Sequence, residues 1–182
     1  MMAESLVPGE VPVSLNEARN WLRLGATIDD AVVAQLVRAA TNICEAFIGR
    51  WLIVRAGEES LPLCAGAVEL GARPMVAVDQ VALVAADGTA TALEPDAWRA
   101  VIARDGTARL TIHAPGDATR VRVGYRAGMA DTPNGIPEAI RQGVVRMTQY
   151  LHDARDGSGA APPAAIAALW QPWRRLTLGA GR

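Results

Sequence analysis

At 182 residues the chain has room for one domain, or for one domain and an arm. A hydrophobic content of 51% excludes disorder of the whole chain, and a net charge of −1 argues against tight non-specific binding to nucleic acid by the isolated chain. All 18 basic residues are Arg, and with one Phe, two Tyr and five Trp the core must be built largely from Ala, Val, Leu and Ile.

The first thirteen residues are expected to be a flexible N-terminus, and the first helix is expected over 14–24. Ser14-Leu15-Asn16-Glu17 is a capping box, in which each side chain satisfies the other's end of the helix. Leu15, Ala18 and Leu22 recur at helical spacing with Trp21 beside them, and Gly25 is the expected stop. A second box, Thr27-Ile28-Asp29-Asp30, puts acids where the helix dipole favours them and opens a helix over 28–48. Its expected buried stripe is Ile28, Val32, Leu36, Ala40, Ile43 and Phe47, and Gly49 ends it.

Residues 51–126 change character: short runs rich in Val and Thr alternate with turn signals. Asp87-Gly88 and Asp105-Gly106 mark tight hairpins, since Asp-Gly suits positive φ angles. They join Val81–Ala85 to Thr89–Leu93 and Trp98–Ala103 to Ala108–His113. In the last strand, from Arg120 to Tyr125, Val121, Val123 and Tyr125 should point inward, and Arg120, Arg122 and Gly124 outward. The segment reads as a small antiparallel sheet or partial barrel inserted between helices.

A third helix is expected over 137–155, with Pro137 at its first position and Ile140, Val144, Met147 and Leu151 on the buried face. Asp156-Gly157-Ser158-Gly159 is a flexible break. A short Ala-rich helix follows from Pro162-Pro163 and ends at Pro172. The expected architecture is α+β and mainly helical: an antiparallel helix bundle with the inserted sheet forms a body over 14–155, and 156–182 form a C-terminal docking arm.

Signals for chemistry are sparse. No G-x-S-x-G elbow, P-loop or HExxH occurs, and His113 and His152 fall in different elements, so no enzyme is expected. Cys44 and Cys64 form no CxxC pair and have no His cluster, so no metal, cofactor or disulfide framework is expected. No contiguous apolar run approaches the roughly 20 residues of a membrane span. The opening MMAESLVPGE lacks the basic and apolar regions of a secretory signal, so a soluble cytoplasmic protein is expected.

The C-terminal segment is the most informative. Ile166, Leu169, Trp170 and Trp173 are followed directly by Arg174, Arg175 and Leu176. Trp and Arg dominate interface hot spots, so the segment reads as a docking arm; alternatively it folds back and caps the core. Arg120 and Arg122 form a small basic stripe suited to a neighbouring subunit, to a loose contact with passing DNA phosphates or to solvent.

The order of these motifs resembles the head–tail connector proteins, or head-completion adaptors, of long-tailed phages and gene transfer agents. The resemblance rests on Leu15-x-Glu17-Ala18-Arg19-x-x-Leu22-Arg23, then Asp29-Asp30, Val33, Leu36, Val37, Ala39, Ala40, Glu45 and Gly49-Arg50. It continues through Arg73-Pro74, Val78, Val81, Asp87-Gly88, Val121-x-Val123-x-Tyr125-x-Ala127-Gly128 and Ile136-Pro137-x-x-Ile140-Arg141, and ends at Leu169-Trp170-x-Pro172-Trp173-Arg174-Arg175. It implies a structural ring, usually of twelve subunits, assembled in the bacterial cytoplasm beneath the portal of a phage-like particle. The ring joins the portal to the next neck or stopper protein and lets DNA pass without sequence-specific binding. In that picture Ile166, Leu169, Trp170, Trp173, Arg174, Arg175 and Leu176 dock on the portal, with Trp170 and Trp173 as anchors. Asp87, Gly88, Asp105, Gly106, Arg120 and Arg122 meet the stopper or a neighbouring subunit. The alternative is a small DNA-binding regulator using the first two helices, which the acids at the start of the second helix oppose.

Overall fold

Among the residues described by the computed structural model (4–5, 10–24, 30–154 and 161–175), strands take nearly as many positions as α-helices. The chain is therefore α+β but not mainly helical. It divides into a β unit, Val54–Met129 with the strand Glu4–Ser5, and a helical unit, Glu10–Ile53 with 130–175.

The β unit holds β1 (Glu4–Ser5), β2 (Arg55–Pro62), β3 (Ala67–Glu69), β4 (Met75–Val84), β5 (Ala90–Ala92), β6 (Trp98–Ile102), β7 (Ala108–Ile112) and β8 (Arg120–Ala127). They form two antiparallel sheets rather than one, in the orders β1-β2-β8-β4-β5 and β3-β7-β6. β8 is the centre of the larger sheet. Its period-2 pattern holds as expected and runs on to Ala127: Val121, Val123, Tyr125 and Ala127 are buried, and Arg122 and Arg126 exposed. β4 begins six residues before the expected Val81 and shifts register between Met75 and Ala77 and between Val78 and Gln80. These bulges break the alternation that would have announced its first half.

Both Asp-Gly pairs make hairpins, but as three-residue loops. The Gly88 N–H bonds the Ala85 carbonyl at 3.0 Å, and the Gly106 N–H bonds the Ala103 carbonyl at 2.9 Å. Only the glycines take positive φ, 88° and 79°. The aspartates act through their carboxylates, which accept the N–H of Thr89 at 2.9 Å and of Thr107 at 3.0 Å. Those bonds hold both carboxyls below the usual carboxylate range.

A buried carboxylate organises the interior of this unit. Glu59 of β2 accepts the N–H of Gly71 at 2.9 Å, the N–H of Ala72 at 3.0 Å and the Tyr125 hydroxyl at 2.8 Å. Burial, then the bond to Glu59, pushes the Tyr125 phenol well above its ordinary value of about 10. The unfolded chain therefore ionises this group first. Its contribution to stability is complete below about pH 10 and declines as the pH rises further. In a Tyr150→Phe chain the phenolate absorbance near 295 nm is expected to stay flat at about pH 11 and to rise only with unfolding. A free-tyrosine titration before unfolding would contradict the buried bond.

The helical unit holds α1 (Leu15–Leu22), α2 (Asp30–Ile48), α3 (Glu138–Asp153) and α4 (Ala164–Trp170), with α3 packed against the other three. The first capping box forms only by half. Ser14 Oγ accepts the Glu17 N–H at 3.2 Å, but the Glu17 carboxylate is taken by Arg141 of α3 at 2.9 Å. α1 ends at Leu22 because Arg23 turns left-handed (φ 54°) and its N–H meets the carbonyls of Arg19 and Asn20. Gly25, Thr27, Ile28 and Asp29 lie outside the described residues. Within the first thirteen residues Glu4–Ser5 pairs with β2 and Val13 is fully buried.

α2 buries Val33, Val37, Ala40, Cys44 and Ile48. Of the expected stripe, only Ala40 is on that face. Val32 is exposed, and Leu36, Ile43 and Phe47 are half-buried. The helix carries two apolar stripes, and periodicity does not say which one its own chain covers. Gly49 ends it as expected (φ 70°), and the Glu45 carboxylate then accepts the Leu52 N–H at 2.8 Å. α3 buries Ile140, Val144 and Met147 as expected, with Leu151 half-buried; Pro137 stands as its N-cap.

Candidate functional site

The C-terminal segment is built on α4 and the 3₁₀ turn Gln171–Trp173 that Pro172 enforces. Trp170 is fully buried, its ring centroid 5.9 Å from that of Phe47, and its Nε1 donates to the Ile140 carbonyl at 3.3 Å. It lies over Gly143 of α3, where a Cβ would stand 2.1 Å from Trp170 Nε1. Ile166 is buried as well. Trp170, an expected anchor, and Ile166, an expected docking residue, are therefore spent inside their own unit, because docking α4 on α3 removes their apolar surface from water.

What the segment presents outward is different. Leu169 and Trp173 are half-buried, and Arg174 is exposed with its guanidinium 5.3 Å from the centre of the Phe47 ring. Arg175 is half-buried, and its N–H meets the Ile48 carbonyl at 3.0 Å. Leu176 and the break Asp156-Gly157-Ser158-Gly159 lie outside the described residues. Gly143 is the residue that sequence reading missed. Its signal was a glycine in mid-helix, which has a cost unless a close neighbour requires it.

The expected basic stripe is largely engaged within its own sheet. Arg120 donates to the Ser60 carbonyl at 2.8 Å and to Ser60 Oγ at 3.3 Å. Arg122 lies 3.7 Å from Glu58, and Arg126 forks onto Asp79 at 3.1 Å. Exposed pairs of this kind add at most about 1 kcal/mol, so they order the sheet surface more than they stabilise it. Asp87 and Asp105, although exposed, are committed to their turns. Arg122, Glu58 and Asp79 border a groove that also meets Leu93, Pro95 and Trp98.

Other chemistry-bearing residues do not converge. His113 is exposed, and His152 Nδ1 lies 3.2 Å from its neighbour Asp153. Burial, and secondarily Glu45, pushes the Cys44 thiol up, so it behaves as an apolar core residue. Among the described residues no group of three His, Cys, Asp or Glu is placed to hold a metal ion. The start of α2 carries Asp30, which pairs with Arg19 of α1.

The chain has clear structural relatives. It superposes on a chain from the neck of an empty gene transfer agent particle computed with C6 symmetry, with a TM-score of 0.77 and 26% identity over 100% of both chains. It also matches a chain from the virion of the native gene transfer agent particle, with a TM-score of 0.74 and 26% identity over 100% of this chain and 99% of that one. A third chain, from the neck of the native particle computed with C12 symmetry, shares the fold with a TM-score of 0.76 and 24% identity over 100% of both chains. No curated protein matches the sequence significantly. The family model of the head completion proteins matches residues 13–158, which span the whole β-rich segment and the first three helices. The chain belongs to the head completion protein family.

Proposed function

We propose that this chain is a structural head–tail connector that forms a ring beneath the portal of a phage-like particle. It joins the portal to the next neck or stopper protein and leaves a channel for DNA. The observation that carries this reading is the full-length likeness, at 26% identity, to a chain in a gene transfer agent neck computed with C6 symmetry. A closed ring of identical subunits needs two different surfaces on each subunit, and this chain has different chemistry on different elements. Assembly in the bacterial cytoplasm, twelve subunits and a non-catalytic role belong to the same reading.

The portal contact is assigned to Leu169, Trp173, Arg174 and Arg175, with Leu176 continuing it. Ile166 and Trp170 support it from beneath. The tips of the β4–β5 and β6–β7 hairpins, Asp87-Gly88 and Asp105-Gly106, face the stopper, and Arg120 and Arg122 serve a subunit or stopper contact. Cutting the chain after Ser158 would remove Trp170 from the core and confuse docking with folding. The cleaner test keeps the fold. The full chain and a Trp173→Ser, Arg174→Glu variant are each co-expressed with the portal protein encoded alongside, and the products are imaged by electron microscopy. A ring under the portal with the first and at least a tenfold loss with the second is the expected result. No association of the unaltered chain would overturn the connector reading, and an unaffected variant would overturn the docking assignment.

A further inference from the structure

α2 shows more apolar surface than its own chain uses. Of its 19 residues only seven are buried, and Val32 among its large apolar side chains is 44% exposed. A second apolar stripe is only partly covered by its own chain: Val32 and Ala46 are exposed, and Leu36, Ala39, Ile43 and Phe47 are half-buried. Val32, Leu36, Ala39, Ile43, Ala46 and Phe47 share one side of the helix, next to the polar strip of Gln35, Arg38 and Asn42. Near its C-terminal end the stripe opens into a shallow apolar depression lined by Asn42, Ile43, Ala46, Phe47 and Pro162. An apolar centre with a polar and Arg-bearing rim is the composition of a protein interface.

We propose that this stripe is the contact to a second copy of the chain, and that the neighbour meets it with the face that carries Trp21. The inference rests on the ring reading above and assigns its subunit boundary. In a rotational ring of more than two subunits the contact is heterologous, so the stripe must meet a different patch on the next copy. Among the described residues the exposed large apolar side chains are Val32 at 44% and Trp21 at 42% in the helical unit, and Val76, Val101 and Ile102 in the β unit; Trp21 is the one aromatic among them. Val32 lies on the stripe itself. Trp21 stands on α1, held by a 2.8 Å bond from its Nε1 to Gln149 of α3. The bond fixes the indole beside exposed Asn20 and Arg23, a tryptophan with polar neighbours suited to an apolar depression. The depression is lined by no acid or base, and the Arg174 guanidinium, 5.3 Å from the centre of the Phe47 ring, stands beside it as part of the polar rim.

The test uses the full chain with the photoreactive residue p-benzoylphenylalanine at Ala46, an exposed position on the rim of the depression. It is mixed with isotope-labelled unaltered chain, assembled with the portal protein and irradiated. The expected product is a light–heavy dimer whose cross-link maps to residues 15–24 of the labelled copy. Val32→Arg and Trp21→Ala are each expected to lower ring yield at least tenfold; Val32→Arg should leave the thermal midpoint of the monomer unchanged, whereas Trp21→Ala also loses the bond to Gln149 and should lower it modestly while the monomer stays folded. Rings that form normally with both variants, or a cross-link that maps outside 15–24, would overturn this boundary and leave the connector reading standing. If the unaltered chain meets the portal but never forms a species larger than one subunit, the ring reading falls and this contact with it.

Discussion

Replacing Trp170 with Ala is expected to destabilise the helical unit by about 3–5 kcal/mol, the usual cost of emptying a fully buried tryptophan site. The side chain is fully buried, packs on Phe47 and donates to the Ile140 carbonyl. Its removal leaves a cavity between α3 and α4 and a carbonyl without that partner. Gly143 makes the expectation sharper. A Cβ there would stand 2.1 Å from Trp170 Nε1 and 2.7 Å from Cε2, closer than atoms approach. Gly143→Ala in the native background should therefore cost about 1–3 kcal/mol through overpacking. In the Trp170→Ala background the same change should be neutral or should stabilise by up to about 1 kcal/mol, because alanine is the better helix former. Urea unfolding of the four chains measures the cycle. Additive effects would mean that the two residues do not touch.

Glu59→Ala is expected to have a comparable effect on the β unit, about 3–5 kcal/mol. The mutation orphans three donors at once: the N–H groups of Gly71 and Ala72 and the Tyr125 hydroxyl. Each unsatisfied buried group costs about 1–3 kcal/mol, and removing the buried carboxylate offsets part of the total. Glu59→Gln keeps one acceptor oxygen and brings an amide that faces the same donors, so its loss should be intermediate. Tyr125→Phe deletes one donor with its own bond and should be mildest, about 1 kcal/mol. The order Ala, then Gln, then the Tyr125 change is the checkable result by denaturant unfolding. A Glu59→Ala chain within about 1 kcal/mol of the original would show that water replaces the carboxylate.

These two residues also mark the boundary between what pattern shows and what packing decides. Local chemistry was enough to locate the four helices, the stop at Gly49, the two hairpins at Asp87-Gly88 and Asp105-Gly106, and the inward set Val121, Val123 and Tyr125. Each depends on interactions within a few residues: a cap, a positive φ or a period of two. Their order along the chain was enough to point to the family.

Tertiary structure decided the rest. β2 was invisible in sequence because its inward positions include Gly57 and Glu59, neither of which reads as core. A buried carboxylate is satisfied only by partners from elsewhere in the chain, here Gly71, Ala72 and Tyr125. Glu17 behaves alike: its spacing from Ser14 promises a capping box, but Arg141 lies 124 positions away in sequence and takes the carboxylate. On α2 both stripes satisfy the helical period, and only the docking of α1, α3 and α4 selects the one through Val33, Val37 and Ile48. The docking of α4 turned Trp170 from an expected anchor into a core residue. Spacing along a chain is local information; which apolar face is covered, and where a buried charge finds its donors, depends on residues far away in sequence.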